Sequence, residues 1–354
     1  MAREFAKLKR GAKKVLLVDA DSKLPNLALL KLSRWYKEHG AEVELLKLNL
    51  PYYPGKKKKR VYLDELADRF DIVHCSVVFT TSLGYIFGER VDFGGTAISL
   101  EKDLPEEVEK LPPDYSLYGK VEEAIGFLTR GCIRKCKFCV VPRKEGFIRQ
   151  VATVEEVVGN FSKVKFLDNN ILALPTHEKI LAELVERGRS GLQVEFIQGL
   201  DIRLLTPSNS KLLSQLKYGP AYTFAFDDVK YKPFVEKGLS LLTWRKPWQI
   251  RFFVYVHPSM PIEHTKFRVE FLRKHKCLTY LMRDISCFSH PLRDFYTQLA
   301  RYTNSVSFYT NHSFEEFVQF QRSHNLLPHS VANLCISTWN LKHISHTPTQ
   351  PTLF

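Results

Sequence analysis

AIGFLTRGCIRKCKFCVVPRKEG occupies residues 124–146 of a 354-residue chain. Residues 124–128 form a short apolar run of the kind that makes a buried strand. The loop after it carries Cys132, Cys136 and Cys139, at positions i, i+4 and i+7. Downstream the same step recurs. Apolar runs suited to strands stand at 164–167, 194–198, 222–226, 250–256 and 278–282, and amphipathic segments suited to helices at 154–160, 177–187, 208–216, 233–237 and 263–275. Thr153 and Thr176 stand where N-caps belong, and Glu156 completes a capping box for the first. Six βα steps predict a partial (β/α)6 barrel over residues 123–290, with its chemistry at the C-terminal ends of the strands.

Upstream, residues 13–19 (KKVLLVD) read as a strand and 27–39 as a helix stopped by Gly40. Further strands fit 43–48 and 72–79, with a helix at 63–69 between them, and VDFGGTAIS (91–99) reads as strand, Gly-Gly turn and continuing strand. This alternation predicts a Rossmann-like open parallel sheet over residues 13–110, so the whole chain is α/β. Residues 101–120 hold three prolines and no strand signal beyond one helical turn near 106–110, which places a linker at 111–122. Residues 1–12 read as a basic tail, 291–339 as a C-terminal helical region and the Thr/Pro/His-rich 340–354 as a loose tail. No solenoid-type repeat is present.

At 44% hydrophobic and 25% charged, the composition is that of a folded globular protein. No apolar run reaches the roughly 18 residues of a membrane span. The opening MAREFAKLKRGAKK lacks the apolar core of a secretory signal. Seven cysteines, three of them within eight positions, predict a reducing, cytoplasmic setting and a metal site rather than a disulfide framework. Of the net charge of +14, residues 1–14 carry +5, residues 56–60 (KKKKR) +5 and residues 130–149 +6, which leaves the remainder at −2. A uniformly basic nucleic-acid coat is therefore not expected. The first two patches fit either solvated segments or phosphate attraction; the third surrounds the cysteines and suits an anionic ligand or an electron donor.

Three thiolates on one short loop can converge on a [4Fe–4S] cluster and leave one iron without a protein ligand. A structural zinc site is the alternative, but such sites usually close with a fourth Cys or His, which this loop lacks. Cys75, Cys277, Cys287 and Cys335 are isolated in sequence and read as buried small hydrophobes.

C-x3-C-x2-C after the first strand of a βα array, with Phe138 before the last cysteine, resembles the radical S-adenosylmethionine superfamily. The segment LPNLALLKLSRWYKEHGAEVELLKLN (24–49) and the later VDFGGTAIS are similar to the cobalamin-binding-like domain that precedes many of those barrels. The resemblance implies Cys132, Cys136 and Cys139 as cluster ligands and S-adenosylmethionine on the open iron. One-electron cleavage of the sulfonium would then release a 5′-deoxyadenosyl radical for hydrogen abstraction. It places Phe138 near the adenine, against a loop-packing role. At the end of the second barrel strand, Asp168-Asn169-Asn170 stands where the family has a motif for the amino group, here DNN rather than GGE; turn chemistry is the other reading. Gln198 ends the third strand, and Arg203 suits the carboxylate of S-adenosylmethionine as a fork, or an ion pair with Asp201. Asp227, Asp228 and His257, at later strand ends, are substrate-side candidates for catalysis. Gly94-Gly95-Thr96 fits a phosphate or cobalamin tail, or a tight turn; no D-x-H-x-x-G motif occurs, and cobalamin-dependent methyl transfer stands as a variant of the reading. Expected partners are a reduced flavodoxin or ferredoxin and a small-molecule, peptide or nucleic-acid substrate, with no membrane. From a different class, a non-catalytic iron–sulfur or zinc protein that binds nucleic acid also fits.

Overall fold

In a computed structural model of the chain, describing residues 6–51 and 58–341, Lys14–Asp19 forms the central strand β1. Its KVLLVD sequence has apolar residues on both faces, as a strand covered on both sides requires. Val15 and Leu17 pack with Leu29, Leu32, Trp35 and Tyr36. Leu16 and Val18 pack on the opposite side with Leu63, Val73 and Val77. By its internal contacts the chain divides into two units, Met1–Gln198 and Gly199–Phe354.

In the first unit, β1 is followed by α1 (Leu27–Glu38) and β2 (Glu42–Lys47). Asn26 caps α1 by accepting the Leu29 N–H at 3.2 Å, and Gly40 takes φ +80° beyond its C-terminus. Then come β3 (Val61–Tyr62), α2 (Asp64–Ala67), β4 (Ile72–Ser76), β5 (Ile86–Phe87), β6 (Val91–Gly94) and α3 (Glu106–Glu109). β2, β1, β4 and β6 make a four-stranded sheet in that order, parallel throughout. β3 and β5 form a separate parallel pair that the sequence did not disclose. The strand expected to continue through 95–99 is absent, because Gly95 turns the chain at φ +97° and Ala97 N–H bonds back to Val77 O at 3.1 Å.

Residues 111–122 are tied down on both sides. Asp114 accepts from Ser33 Oγ at 2.6 Å and pairs with Lys37 at 2.7 Å. Tyr118 donates to Asp19 at 2.8 Å, and Tyr115 bonds the backbone of Ile125. The expected basic tail is likewise anchored from Ala6 onward: Lys7 N–H reaches Asp92 at 3.1 Å, and Ala12 is buried in the α1 core. Of the KKKKR run, Lys56 and Lys57 lie outside the described residues. Lys58 is not a solvated loop residue, since it bonds Thr81 O and lies 5.2 Å from the Tyr85 ring centroid.

The unit continues with β7 (Ala124–Gly126), β8 (Thr129–Arg130), α4 (Val141–Lys144), β9 (Arg149–Gln150), α5 (Val154–Val158), β10 (Lys163–Phe166), α6 (His177–Arg189) and β11 (Gln193–Phe196). β11, β10 and β7 form a parallel three-stranded sheet. The Thr153–Glu156 capping box at α5 is present. Thr176 makes no side-chain cap bond: at φ −94°, ψ 12° it is not in the extended conformation that aims a cap.

The second unit holds α7 (Pro207–Gln215), β12 (Tyr222–Ala225), α8 (Lys232–Leu241), β13 (Ile250–Val256), α9 (Ile262–Lys274) and β14 (Leu278–Arg283). β12, β13 and β14 are parallel neighbours, and Leu200 bridges to Phe224 beside them. Helices α10 (Arg293–Asn304), α11 (Val306–Asn311), α12 (Phe314–Ser323) and α13 (His329–Trp339) follow, built around Phe295, Tyr302, Tyr309, Phe314 and Trp339. The expected loose tail lies outside the described residues from 342 onward. No helix among the described residues is long and apolar enough to cross a membrane.

Candidate functional site

The cysteine loop leaves the C-terminal end of β7 and is closed at its neck by a two-residue ribbon. Thr129 pairs with Gln150 and Arg130 with Arg149, antiparallel. Val151 N–H bonds Leu128 O at 2.8 Å, and Cys132 N–H bonds Gly146 O at 3.1 Å. Gly131 sits inside this neck at φ +90°, where an added Cβ would lie 2.3 Å from Phe147 O. Only glycine tolerates both the backbone angle and the approach.

Asp168, Asn169 and Asn170 hold the loop from below, each at a different point. Asp168 is buried and accepts the Leu128 N–H at 3.1 Å and the Thr129 N–H and Oγ1–H at 2.6 Å each. Burial pushes its carboxyl up to about 6, against the hydrogen bonds from Thr129 and Leu128 that pull it down. Asn169 accepts the Gly131 N–H at 3.1 Å. Asn170 donates to Cys132 Sγ at 3.4 Å. The three residues expected to meet the amino group of S-adenosylmethionine are thus placed against the loop that carries the thiols.

On its flanks the loop is fixed by charge. Arg130 meets Glu145 at 3.2 Å and Glu109 at 3.0 Å, with its guanidinium 4.3 Å from the Phe127 ring centroid. Lys144 meets Asp103 at 2.7 Å.

Cys132, Cys136 and Cys139 are unbridged and half-buried. A turn closes Cys139 N–H on Cys136 O at 3.0 Å, and Cys132 Sγ also accepts the Arg134 N–H at 3.3 Å. Among the described residues no three His, Cys, Asp or Glu side chains are drawn into one ligating group. In kind and number the donors nevertheless fit a thiolate-bound iron–sulfur group: three soft sulfurs on one loop, one of them already receiving two N–H donors. Phe138 is 43% exposed on the surface of the loop. Gln198 is exposed in the turn after β11. At Gly95 the backbone packs closely, since a Cβ there would lie 2.3 Å from Val77 O.

In the second unit the remaining candidates cluster at strand ends. Arg203 grips Asp201 as a fork, at 2.6 and 2.9 Å, and stacks 4.3 Å from the Tyr231 ring centroid. Asp227 accepts the Tyr255 N–H at 3.0 Å, and burial raises its carboxyl against that bond and the nearby Arg268 charge. Asp228 instead caps its own turn, accepting Lys230 N–H at 3.0 Å and pairing with Lys230 Nζ at 2.8 Å. His257 holds Ser259 at 2.7 Å through Nδ1 and faces Asp284 at 3.8 Å through Nε2.

Sequence reasoning missed Asp284, Tyr255 and Arg268. Asp284 gathers Tyr255 Oη at 2.7 Å and Ser286 Oγ at 2.5 Å; these bonds lower its carboxyl against a burial that would raise it. Arg268, fully buried, donates to the carbonyls of Phe226 and Tyr255 at 3.0 Å each, and burial pulls it down to about 10. Asp284 follows β14 as Asp227 follows β12, which was the available signal. No protein-family model matches the chain, and no curated protein matches it.

Proposed function

We propose that the chain is a radical S-adenosylmethionine enzyme. The observation that carries this reading is the cysteine loop itself. Three unbridged thiols stand at the C-terminal end of a parallel strand, on a loop closed at its neck and clamped by three consecutive polar side chains. Within each unit the strands expected of the barrel are parallel neighbours, β7-β10-β11 and β12-β13-β14, which supports the partial (β/α)6 reading.

When bound, a [4Fe–4S] cluster with S-adenosylmethionine supplies one-electron cleavage of the sulfonium and hydrogen abstraction from a substrate. Cys132, Cys136 and Cys139 would hold that cluster, fed by a flavodoxin- or ferredoxin-type donor. Asn170 and the Arg134 N–H support the Cys132 sulfur, while Asp168 and Asn169 fix the backbone before it. Asp227, Tyr255, His257 and Asp284 offer hydrogen-bonding groups at the strand ends of the second unit, the usual place for substrate.

The test is anaerobic reconstitution with iron and sulfide, then S-adenosylmethionine and dithionite. Release of 5′-deoxyadenosine, lost in Cys136→Ala, is expected. A Cys136→Ala variant that still releases it would sink the assignment. A protein that binds nucleic acid but releases none, with cluster or zinc in place, belongs to the non-catalytic class.

A further inference from the structure

The outward side of the cysteine loop alternates cations and aromatic rings. Lys135, Lys137, Arg143 and Arg149 are exposed. Phe138 is 43% and Phe147 72% exposed. Arg130 and Lys144 are neutralised by carboxylates of the same unit, whereas no ion pair engages Lys135, Lys137 or Arg143 among the described residues. Because the neck joins Cys132 to Gly146, these side chains share one small projection. Two exposed rings, Phe138 and Phe147, thus stand among these cations on the one loop.

Cations track phosphates, and an exposed ring offers a face on which any base can stack. An acidic protein would match the charge but would make no particular use of rings placed between the cations. A duplex would present phosphates while hiding its base faces. We propose that this face of the loop binds single-stranded nucleic acid, with phosphates at Lys135, Lys137 and Arg143 and a base on Phe147. As a statement of substrate class this rests on the radical reading; as a statement of binding it does not, and the two are measured separately.

The experiment is fluorescence anisotropy on the full chain, with labelled oligo-U RNA, oligo-dT DNA and a duplex of equal length, between about 50 and 200 mM salt. Both single strands, or RNA alone, should bind more tightly than duplex. Replacing Lys135, Lys137 and Arg143 with Gln should flatten the log–log salt slope by about 2, at roughly 0.7 per phosphate contact. Phe147→Ala should weaken binding on the order of tenfold while leaving the slope unchanged. All four side chains are exposed, so these variants should keep the parent circular dichroism spectrum.

No binding at the lowest salt would overturn the proposal, as would affinity and slope unmoved by both sets of changes. So would duplex or polyglutamate bound as tightly as single strands, which would mark a surface for acidic partners in general. Single-strand binding without 5′-deoxyadenosine release leaves the docking face standing and removes the radical reading. Release without single-strand binding does the reverse.

Discussion

One oxygen of Asp168 accepts both the backbone N–H and the hydroxyl of Thr129, each at 2.6 Å. The bond pair fixes the backbone where β7 gives way to the cysteine loop. It also explains why the strand stops at Gly126: Leu128 and Thr129 direct their N–H groups to a carboxylate instead of to a neighbouring strand.

Asp168 should give the fold a recognisable pH dependence. Its carboxyl is raised from 3.8 to about 6 in the folded chain, so folding favours the protonated form. That contribution is complete below about pH 4 and is lost as pH rises through about 6, amounting to roughly 3 kcal/mol at most. Urea unfolding of the parent across this window should lose stability relative to Asp168→Asn, whose profile lacks this step. Parallel profiles would mean that Asp168 holds its proton equally in both states.

Asn170→Leu should weaken thiolate metal binding about tenfold, since it removes an N–H donor from the Cys132 sulfur. Cobalt(II) titration followed by sulfur-to-cobalt charge-transfer absorption reads this directly. An unchanged affinity would make the bond an incidental contact.

Gly131 and Gly146 separate two effects of replacing glycine. Both have positive φ, but only Gly131 faces a carbonyl at 2.3 Å from an added Cβ; nothing lies within 4 Å of Gly146. Gly146→Ala should cost about 1 kcal/mol from backbone strain alone. Gly131→Ala should cost about 3 kcal/mol and open the loop to proteolysis. Equal costs would show that the neck relaxes around the new methyl group.

In the second unit, Arg268→Met should destabilise by about 3 kcal/mol, because the carbonyls of Phe226 and Tyr255 lose a buried donor. Arg268→Lys should recover less than half of that, since Nη1 serves both carbonyls while Nε and Nη2 hold His264 O and Thr265 Oγ1, and one ammonium cannot replace all three nitrogens. Denaturation midpoints followed by near-ultraviolet circular dichroism would decide. Full rescue by Lys would mean that one cationic nitrogen beneath the two carbonyls is enough.

The parallel strands were legible because buried strands advertise themselves. KVLLVD is apolar on both faces, and the period-two burial of Ile250–Val256 is written in its residues. Thr129–Arg130 and Arg149–Gln150 have no such mark: two polar residues on each side make a ribbon only because the loop's ends meet. The three cysteines could be found from their spacing alone. The direction in which Asp168-Asn169-Asn170 points could not, since a polar triplet after a strand serves a ligand or its own loop equally well. Arg268, among the charged residues of α9, reads as a surface residue until packing places it under two strand ends.

The clamp also sets an order of events in time. Asp168, Asn169 and Asn170 lie 38 to 40 residues beyond the groups they hold. Their bonds cannot form until β7 and β10 have paired in parallel, a long-range step that comes late relative to local turns. Before then only the local neck and the Cys136–Cys139 turn restrain the loop. Its final shape, with the thiols held in place, must therefore follow assembly of the sheet.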